Sequence, residues 1–222
     1  YEIEKSIVER ADVIFALSKE DIESMVKIYG KERERIIYVP HVNKIPEYKW
    51  HGDDSKDFVF IGSPYQPNIE ALRIIENLAE KFPEFNFHII GDFSKIPKKK
   101  LKNMIYHGLL DEEKKAEIFN SCLAGLNPVL RGGGRNIKMV DYLSHGLPVI
   151  TTPIGFRGFD PEFWKDLVYI VNVEKFPETI EYVYNNRKKL KETSENIYKK
   201  YIDLYRIESS IDPYNELMKF FK

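Results

Sequence analysis

The chain has 222 residues, 43% of them hydrophobic and 14% aromatic, enough for the core of one large domain, or of one domain with a piece of another. Lys and Arg number 34 against 35 Asp and Glu, a net charge of -1, which excludes the overall basic excess of a general nucleic-acid binder. The single cysteine, Cys122, excludes an internal disulfide and any cysteine-rich metal site, and fits a reducing, cytoplasmic setting. No apolar run is long enough to cross a bilayer, and no signal-peptide pattern opens the chain. A charged content of 31%, rich in Lys and Glu, is compatible with a thermophilic source.

The opening run YEIEKSIVER is amphipathic from Tyr1 onward and reads as the continuation of a longer protein. Strands are expected at DVIFAL, RIIYVP, DFVFIG, NFHIIG, NMIYHG, CLAGLNP, LPVITT and LVYIV. Helical patterns lie between most of them, at KEDIESMVKIYG, PNIEALRIIENLAEKF, DEEKKAEIFN and NIKMVDYLSHG. Strands that are apolar throughout, each followed by a helix, indicate a parallel sheet covered on both faces. With right-handed crossovers this predicts a doubly wound α/β domain, followed by a charged helical tail from Pro177 onward that ends in ELMKFFK. The polar stretch WHGDDSK, residues 50–56, reads as a linker or loop. Pro67 suits a first helical turn, Asp111 an N-cap, and Gly30 and Gly146 the residues just past helix ends.

Chemistry is expected where strands end and helices begin, because ligands of open parallel sheets bind at the carboxyl ends of the strands. Gly62, in FVFIGSPYQPNIEAL, is either a point of close backbone approach to an anion or a turn residue needing positive φ; the residues leave both open. The stretch LRGGGRNIKMVD is more pointed. Gly132, Gly133 and Gly134 expose bare N–H groups, and Arg131, Arg135 and Lys138 cluster at the start of the helix that follows. That combination suits a diphosphate. Lys138 and Asp141 are three apart and share a helix face, so Asp141 could accept from ribose hydroxyls one turn behind the phosphate. Gly108, Leu109 and Leu110 could wall a base, or simply pack beneath the cap at Asp111. TTPIGFRGF, after the next strand, suits a bent loop at the same rim.

Other chemistries find no support. GSPYQPN lacks the G-x-G-x-x-G of dinucleotide binding, there is no P-loop, and GSP is not a G-x-S-x-G elbow. The five histidines show no zinc-ligand spacing; His88 reads as a packed strand residue and His145 as a favourable charge near a helix end.

In their order along the chain, these motifs resemble the carboxyl-terminal, donor-binding half of GT-B glycosyltransferases, close to glycosyltransferase family 4. ERADVIFALSKEDIESMVKIYG and RIIYVPHVN resemble the end of the amino-terminal domain and the crossing between domains. FVFIGSPYQPNIEAL, FHIIGDF, IYHGLLDEEKKAEIFNSCLAGLNPV and GGGRNIKMVDYLSHGLPVITTPIGFRGF resemble the donor domain. The resemblance implies three segments: residues 1–50 as a remnant of the amino-terminal domain, 51–205 as a nucleotide-sugar-binding Rossmann-like domain, and 206–222 as a helix returning toward the amino-terminal domain. It implies a retaining, metal-independent hexosyltransferase, without a resident cofactor. Its substrates would be a UDP- or GDP-linked sugar and a glycan or lipid-linked acceptor. It allows peripheral membrane association through the preceding domain, where catalytic groups are also expected. By position, the diphosphate set becomes Gly62, Gly133, Gly134, Arg135 and Lys138, with Asp141 on ribose and Gly108, Leu109 and Leu110 on the base. Gly133 stands where many members carry the first glutamate of a pair, which touches the donor sugar. This segment alone would then bind donor and turn over slowly or not at all. The alternatives are a nucleotide-sugar epimerase of the same fold, or a binding module that has lost its chemistry.

Overall fold

A computed structural model describes residues 2–218 and Phe220. The chain opens with α1 (Glu2–Arg10), β1 (Ile14–Ala16), α2 (Lys19–Tyr29) and β2 (Ile36–Tyr38). β3 (Asp57–Ile61), α3 (Gln66–Lys81), β4 (Asn86–Ile90), β5 (Met104–Gly108), α4 (Glu112–Ser121), β6 (Ala124–Asn127), α5 (Ile137–Ser144), β7 (Val149–Thr151) and β8 (Tyr169–Ile170) follow. α6 (Phe176–Asn185), α7 (Leu190–Ser209) and α8 (Pro213–Met218) close the described chain. Each of the eight expected strands, and the four helices expected between them, is present.

Six strands pair in parallel in the order β5-β4-β3-β6-β7-β8. Chain order reverses between β3 and β6, which makes that gap the topological switch point of a doubly wound sheet, where ligands bind. The strands are buried on both faces: Phe58, Val59 and Phe60 of β3 are each no more than 1% exposed, as the unbroken apolar pattern requires. The local punctuation also holds. Asp111 accepts from the Lys114 N–H at 2.8 Å, Pro67 sits in the first turn of α3, and Gly30 and Gly146 end α2 and α5 in the left-handed region.

β1 and β2 form a separate two-stranded parallel sheet with its own small core of Ala16, Ile22 and Ile36. The segment that follows β2 runs along α7. The Tyr201 hydroxyl accepts from Asn43 N–H and donates to the Asn43 carbonyl, and Tyr48 donates to Ser194.

The 50–56 stretch is the loop expected before β3, with a short 3-10 turn over Gly52–Asp54, but it also holds a core residue: Trp50 is 1% exposed and its indole N–H donates to the Cys122 carbonyl at 3.0 Å. A large ring with one satisfied polar atom is a core anchor, whatever the polarity of its neighbours. The helix expected over 206–222 is divided: α7 runs on to Ser209, and a break before Pro213 starts α8. Residues 219, 221 and 222 of ELMKFFK lie outside the described residues.

Candidate functional site

A cleft of about 610 Å³ opens at the carboxyl ends of the strands, between the starts of α3 and α5. Ile61 and Ile90 end β3 and β4 at its floor, and the two strand-end loops touch there. A Cβ on Gly91 would lie 1.8 Å from the Gly62 carbonyl oxygen, so the approach depends on the missing side chain. Gly62 itself has no positive φ; its side-chain space is instead occupied by Asn68. Of the two readings of Gly62, the turn that needs positive φ is therefore not the one found.

Gly62, Leu109, Leu110, Arg135, Lys138 and Asp141 all line this cleft. Gly108, Gly133 and Gly134 are not among the lining residues: Gly108 directly precedes Leu109, and the two loop glycines precede Arg135. Gly132 and Gly134 adopt φ of 139° and 72°, which favour glycine, whereas Gly133 does not, and a Cβ there would meet nothing within 4 Å. The absence of a side chain at Gly133 is thus not imposed by space.

Lys138 projects from the first turn of α5. Its Nζ donates to Asn68 Oδ1 at 2.7 Å and lies 4.4 Å from the centre of the Phe60 ring. Among the described residues, no carboxylate lies within ion-pair distance of it. Burial, and secondarily the nearby Arg157 charge, bring its pKa down from 10.5 to about 7. Arg157, from the loop after β7, donates through Nη2 to the Gly133 carbonyl at 2.8 Å and through Nη1 to the Ile154 carbonyl at 2.9 Å. Its Nε is buried without a partner, and burial lowers its pKa. Two cations that have, among the described residues, no carboxylate within ion-pair distance therefore face one cleft beside a helix start, with Asp21 acting on Arg157 only from farther off, an arrangement suited to an anion.

The acidic side of the cleft is separate. Asp141 Oδ1 accepts from Lys115 Nζ at 3.1 Å and from Asn43 Nδ2 at 2.8 Å, leaving Oδ2 as an acceptor. Burial opposes the charge on Lys115, but Glu112 and Asp141 together hold its pKa above the usual lysine value. α5 is fixed to the sheet by Tyr142, whose hydroxyl accepts from the Ile61 N–H at 3.0 Å and donates to the Leu126 carbonyl at 3.3 Å.

Arg135 reaches the cleft wall, yet its guanidinium is engaged elsewhere. Nη1 donates to both carboxylate oxygens of Glu208 at 2.8 and 2.9 Å, and the group stacks 4.5 Å from the Phe159 ring. Arg135 thus forms a buried ion pair with Glu208 of α7 through Nη1, while its Nε and Nη2 are buried without a partner. His145 is also not the expected charge: burial against Phe119 pushes its pKa down, and Nδ1 lies 2.8 Å from the Asp141 carbonyl, to which it donates. His88 packs in β4 as expected, with its ring stacked on His107.

The sequence reading missed Arg157 and Lys115. For Arg157 a signal existed, since TTPIGFRGF was placed at this rim; for Lys115 the partner lies 26 positions away and no local spacing marks it.

Lys138 is expected to make anion binding and stability depend on pH in opposite senses. Its folded pKa lies below its unfolded value, so between about 7 and 10.5 the unfolded chain holds the extra proton and the unliganded fold gains stability as pH rises. Binding of an anion needs that proton. Calorimetric affinity for a nucleotide sugar, whose diphosphate charge does not change between pH 6 and 9, is expected to fall as pH rises above 7, by up to ~10-fold per pH unit. A flat profile from pH 6 to 9 would mean that Lys138 does not meet the ligand.

A doubly wound parallel sheet with two cations at its switch point is a Rossmann-like α/β arrangement suited to an anionic ligand. The family model described as glycosyl transferases group 1 matches residues 55–186, more than half of the chain, and the chain belongs to that family. No curated protein matches the sequence. Among solved structures, a mutant of S. aureus TarM in complex with fondaparinux, alpha-GlcNAc-glycerol and UDP superimposes with a TM-score of 0.75 at 17% identity, over 100% of this chain and 46% of that one. Anabaena HepE in complex with UDP and glucose gives 0.69 at 12% identity, over 96% of this chain and 63% of that one. The C-terminal domain of a glycosyl transferase group 1 family protein, LpcC, from Francisella tularensis gives 0.53 at 16% identity, over 76% of this chain and 96% of that domain. At these identities the likeness is one of fold, that of the carboxyl-terminal half of a GT-B glycosyltransferase. The chain spans less than half the length of TarM.

Proposed function

We propose that this chain is the donor-binding half of a retaining glycosyltransferase that takes its sugar from a nucleoside diphosphate, UDP- or GDP-linked. The observation that carries the reading is the pairing of Lys138 with Arg157, two cations beside the start of α5 that have, among the described residues, no carboxylate within ion-pair distance. In this reading they neutralise the diphosphate, and they stabilise it further as it departs and gains charge. Asp141 Oδ2 accepts from ribose, and Leu109 and Leu110 wall the base. The two cations supply the countercharge a metal would otherwise bring, so the scheme uses no metal cofactor. UDP in the TarM and HepE complexes supports the nucleotide class. The acceptor, a glycan or lipid-linked sugar, is met by the amino-terminal domain, which closes over the cleft and positions the reacting atoms. That domain is also where peripheral membrane contact in a cytoplasmic setting is expected.

The test is calorimetric titration of the 222-residue chain with UDP and with GDP. Saturable binding to one of them, weakened at least roughly tenfold by Arg157→Gln, is expected from the loss of one charge-assisted contact. Failure of both nucleotides to bind, or an unchanged affinity in the variant, overturns the reading.

A further inference from the structure

The contact that holds the Lys138 ammonium joins two helices. Asn68, in the first turn of α3, is 70 positions from Lys138 in α5, yet its Oδ1 accepts from Lys138 Nζ at 2.7 Å. Its Nδ2 donates to the Ser63 carbonyl, in the loop after β3, at 3.0 Å. With Nδ2 tied to that carbonyl, the amide offers its oxygen to the ammonium. Gly62 makes room for this arrangement: a Cβ there would stand 3.0 Å from Asn68 Cγ and 3.2 Å from Nδ2, tighter than ordinary packing. The bond to Ser63 alone would suit a brace for the loop. The bond to an ammonium on another helix goes beyond what that loop requires. Other charged groups that line the cleft already have partners. Arg131, Arg135 and Lys115 pair with Glu70, Glu208 and Asp141, while Glu112 and Asp92 are engaged by Lys115 and Ser94. Arg157 acts on Lys138 by repulsion.

We infer that Asn68 is a positioning residue for Lys138, a neutral acceptor that fixes the ammonium group at the cleft while leaving its charge for an anion. The inference rests on the donor-site reading of the cleft. Lysine carries its charge on a flexible four-carbon stem, and an ammonium without an acceptor swings out to water. A carboxylate in place of the amide would hold the group as well, but it would cancel the charge and repel a diphosphate. An amide oxygen does the first without the second. It also occupies only one of the three ammonium donors, so the other two remain for phosphate oxygens.

The experiment follows the Lys138 side chain by NMR through a pH titration of the unliganded 222-residue chain, for the parent, Asn68→Asp and Asn68→Leu. The Lys138 midpoint is expected to rise by roughly 1–3 pH units in Asn68→Asp, where an opposite charge replaces the amide, and to fall in Asn68→Leu, where the acceptor is lost. Calorimetric titration of the same proteins with UDP and with GDP reads the consequence. At pH 7 both variants should bind roughly tenfold or more weakly, the first by repelling the diphosphate and the second by releasing the ammonium. The pH at which affinity falls away should move with the midpoint, upward in Asn68→Asp and downward in Asn68→Leu, which a merely structural residue would not cause. A parent that binds neither nucleotide overturns the donor-site reading, and the NMR midpoints then decide alone whether Asn68 holds the ammonium. A parent that binds, with variants that keep its Lys138 midpoint or its affinity, overturns the role of Asn68. So does a loss of affinity that tracks melting temperature while the pH profile stays in place.

Discussion

Lys138→Met is expected to weaken nucleoside diphosphate binding by about two orders of magnitude without lowering the stability of the unliganded chain. The first half follows from what the ammonium group does. It sits 2.7 Å from Asn68 and 4.4 Å from the Phe60 ring, half-withdrawn from water, and among the described residues no carboxylate lies within ion-pair distance. A charge-assisted hydrogen bond in such a site contributes about 1.5–3 kcal/mol, and loss of a full charge from the diphosphate's surroundings adds to that, so roughly 3 kcal/mol and 100-fold in affinity is the scale. The second half follows from the cost of the same charge in the empty cleft. Burial and Arg157 both act against it, which is why its pKa stands at about 7. Methionine keeps the unbranched chain over Phe60 and removes the charge, so one cationic repulsion disappears with little packing lost. Calorimetry and thermal melting of the same preparation check both halves. Undiminished affinity would remove Lys138 from the site; a melting temperature several degrees lower would make it a structural residue.

The lysine was legible in the sequence because its signal is local. Glycines, a basic residue and a carboxylate at helix spacing all fall within Gly132 to Asp141. The strands were legible for a similar reason, since full burial writes an unbroken apolar run such as Phe58 to Ile61. Caps behave likewise, because the partners of Asp111 are three residues away. What could not be read is which charges meet across the fold. Arg157, Arg135 and Arg131 look alike along the chain. Yet Arg131 pairs with Glu70, Arg135 with Glu208, and Arg157 with backbone carbonyls alone. Those partners lie 61, 73 and up to 24 positions away, and it is the choice of partner that decides whether a guanidinium is structural or available. The burial of Trp50 was hidden for the same reason: its polar neighbours marked the loop it does occupy, while its hydrogen-bond acceptor is 72 residues distant.

The largest effect on stability is expected at Glu208. Glu208→Ala should cost about 3–5 kcal/mol, since it leaves the Arg135 guanidinium buried without its counter-charge, and breaking one side of a buried pair is far more damaging than removing both. The exposure is decisive: the Arg135 side chain is 0% exposed and that of Glu208 9%, so water cannot replace the lost carboxylate. Nε and Nη2 of Arg135 are already buried without hydrogen-bond partners, and Nη1 would join them. The carboxylate has a second partner, since it accepts from the Tyr38 hydroxyl at 3.1 Å, and burial followed by the Glu208 charge raises that phenol's pKa to about 12. One carboxylate therefore ties the glycine-rich loop, the end of α7 and β2 together. The double variant Arg135→Met, Glu208→Leu removes both charges while keeping their volume, and should recover most of the loss. It should also retain nucleotide binding, because Lys138 and Arg157 are untouched. Chemical denaturation of parent, single and double variants reads the stabilities, and UDP titration reads the site. A single variant that costs less than about 1 kcal/mol would show the pair to be solvated rather than buried. A double variant that is fully stable yet no longer binds UDP would return Arg135 to the diphosphate site.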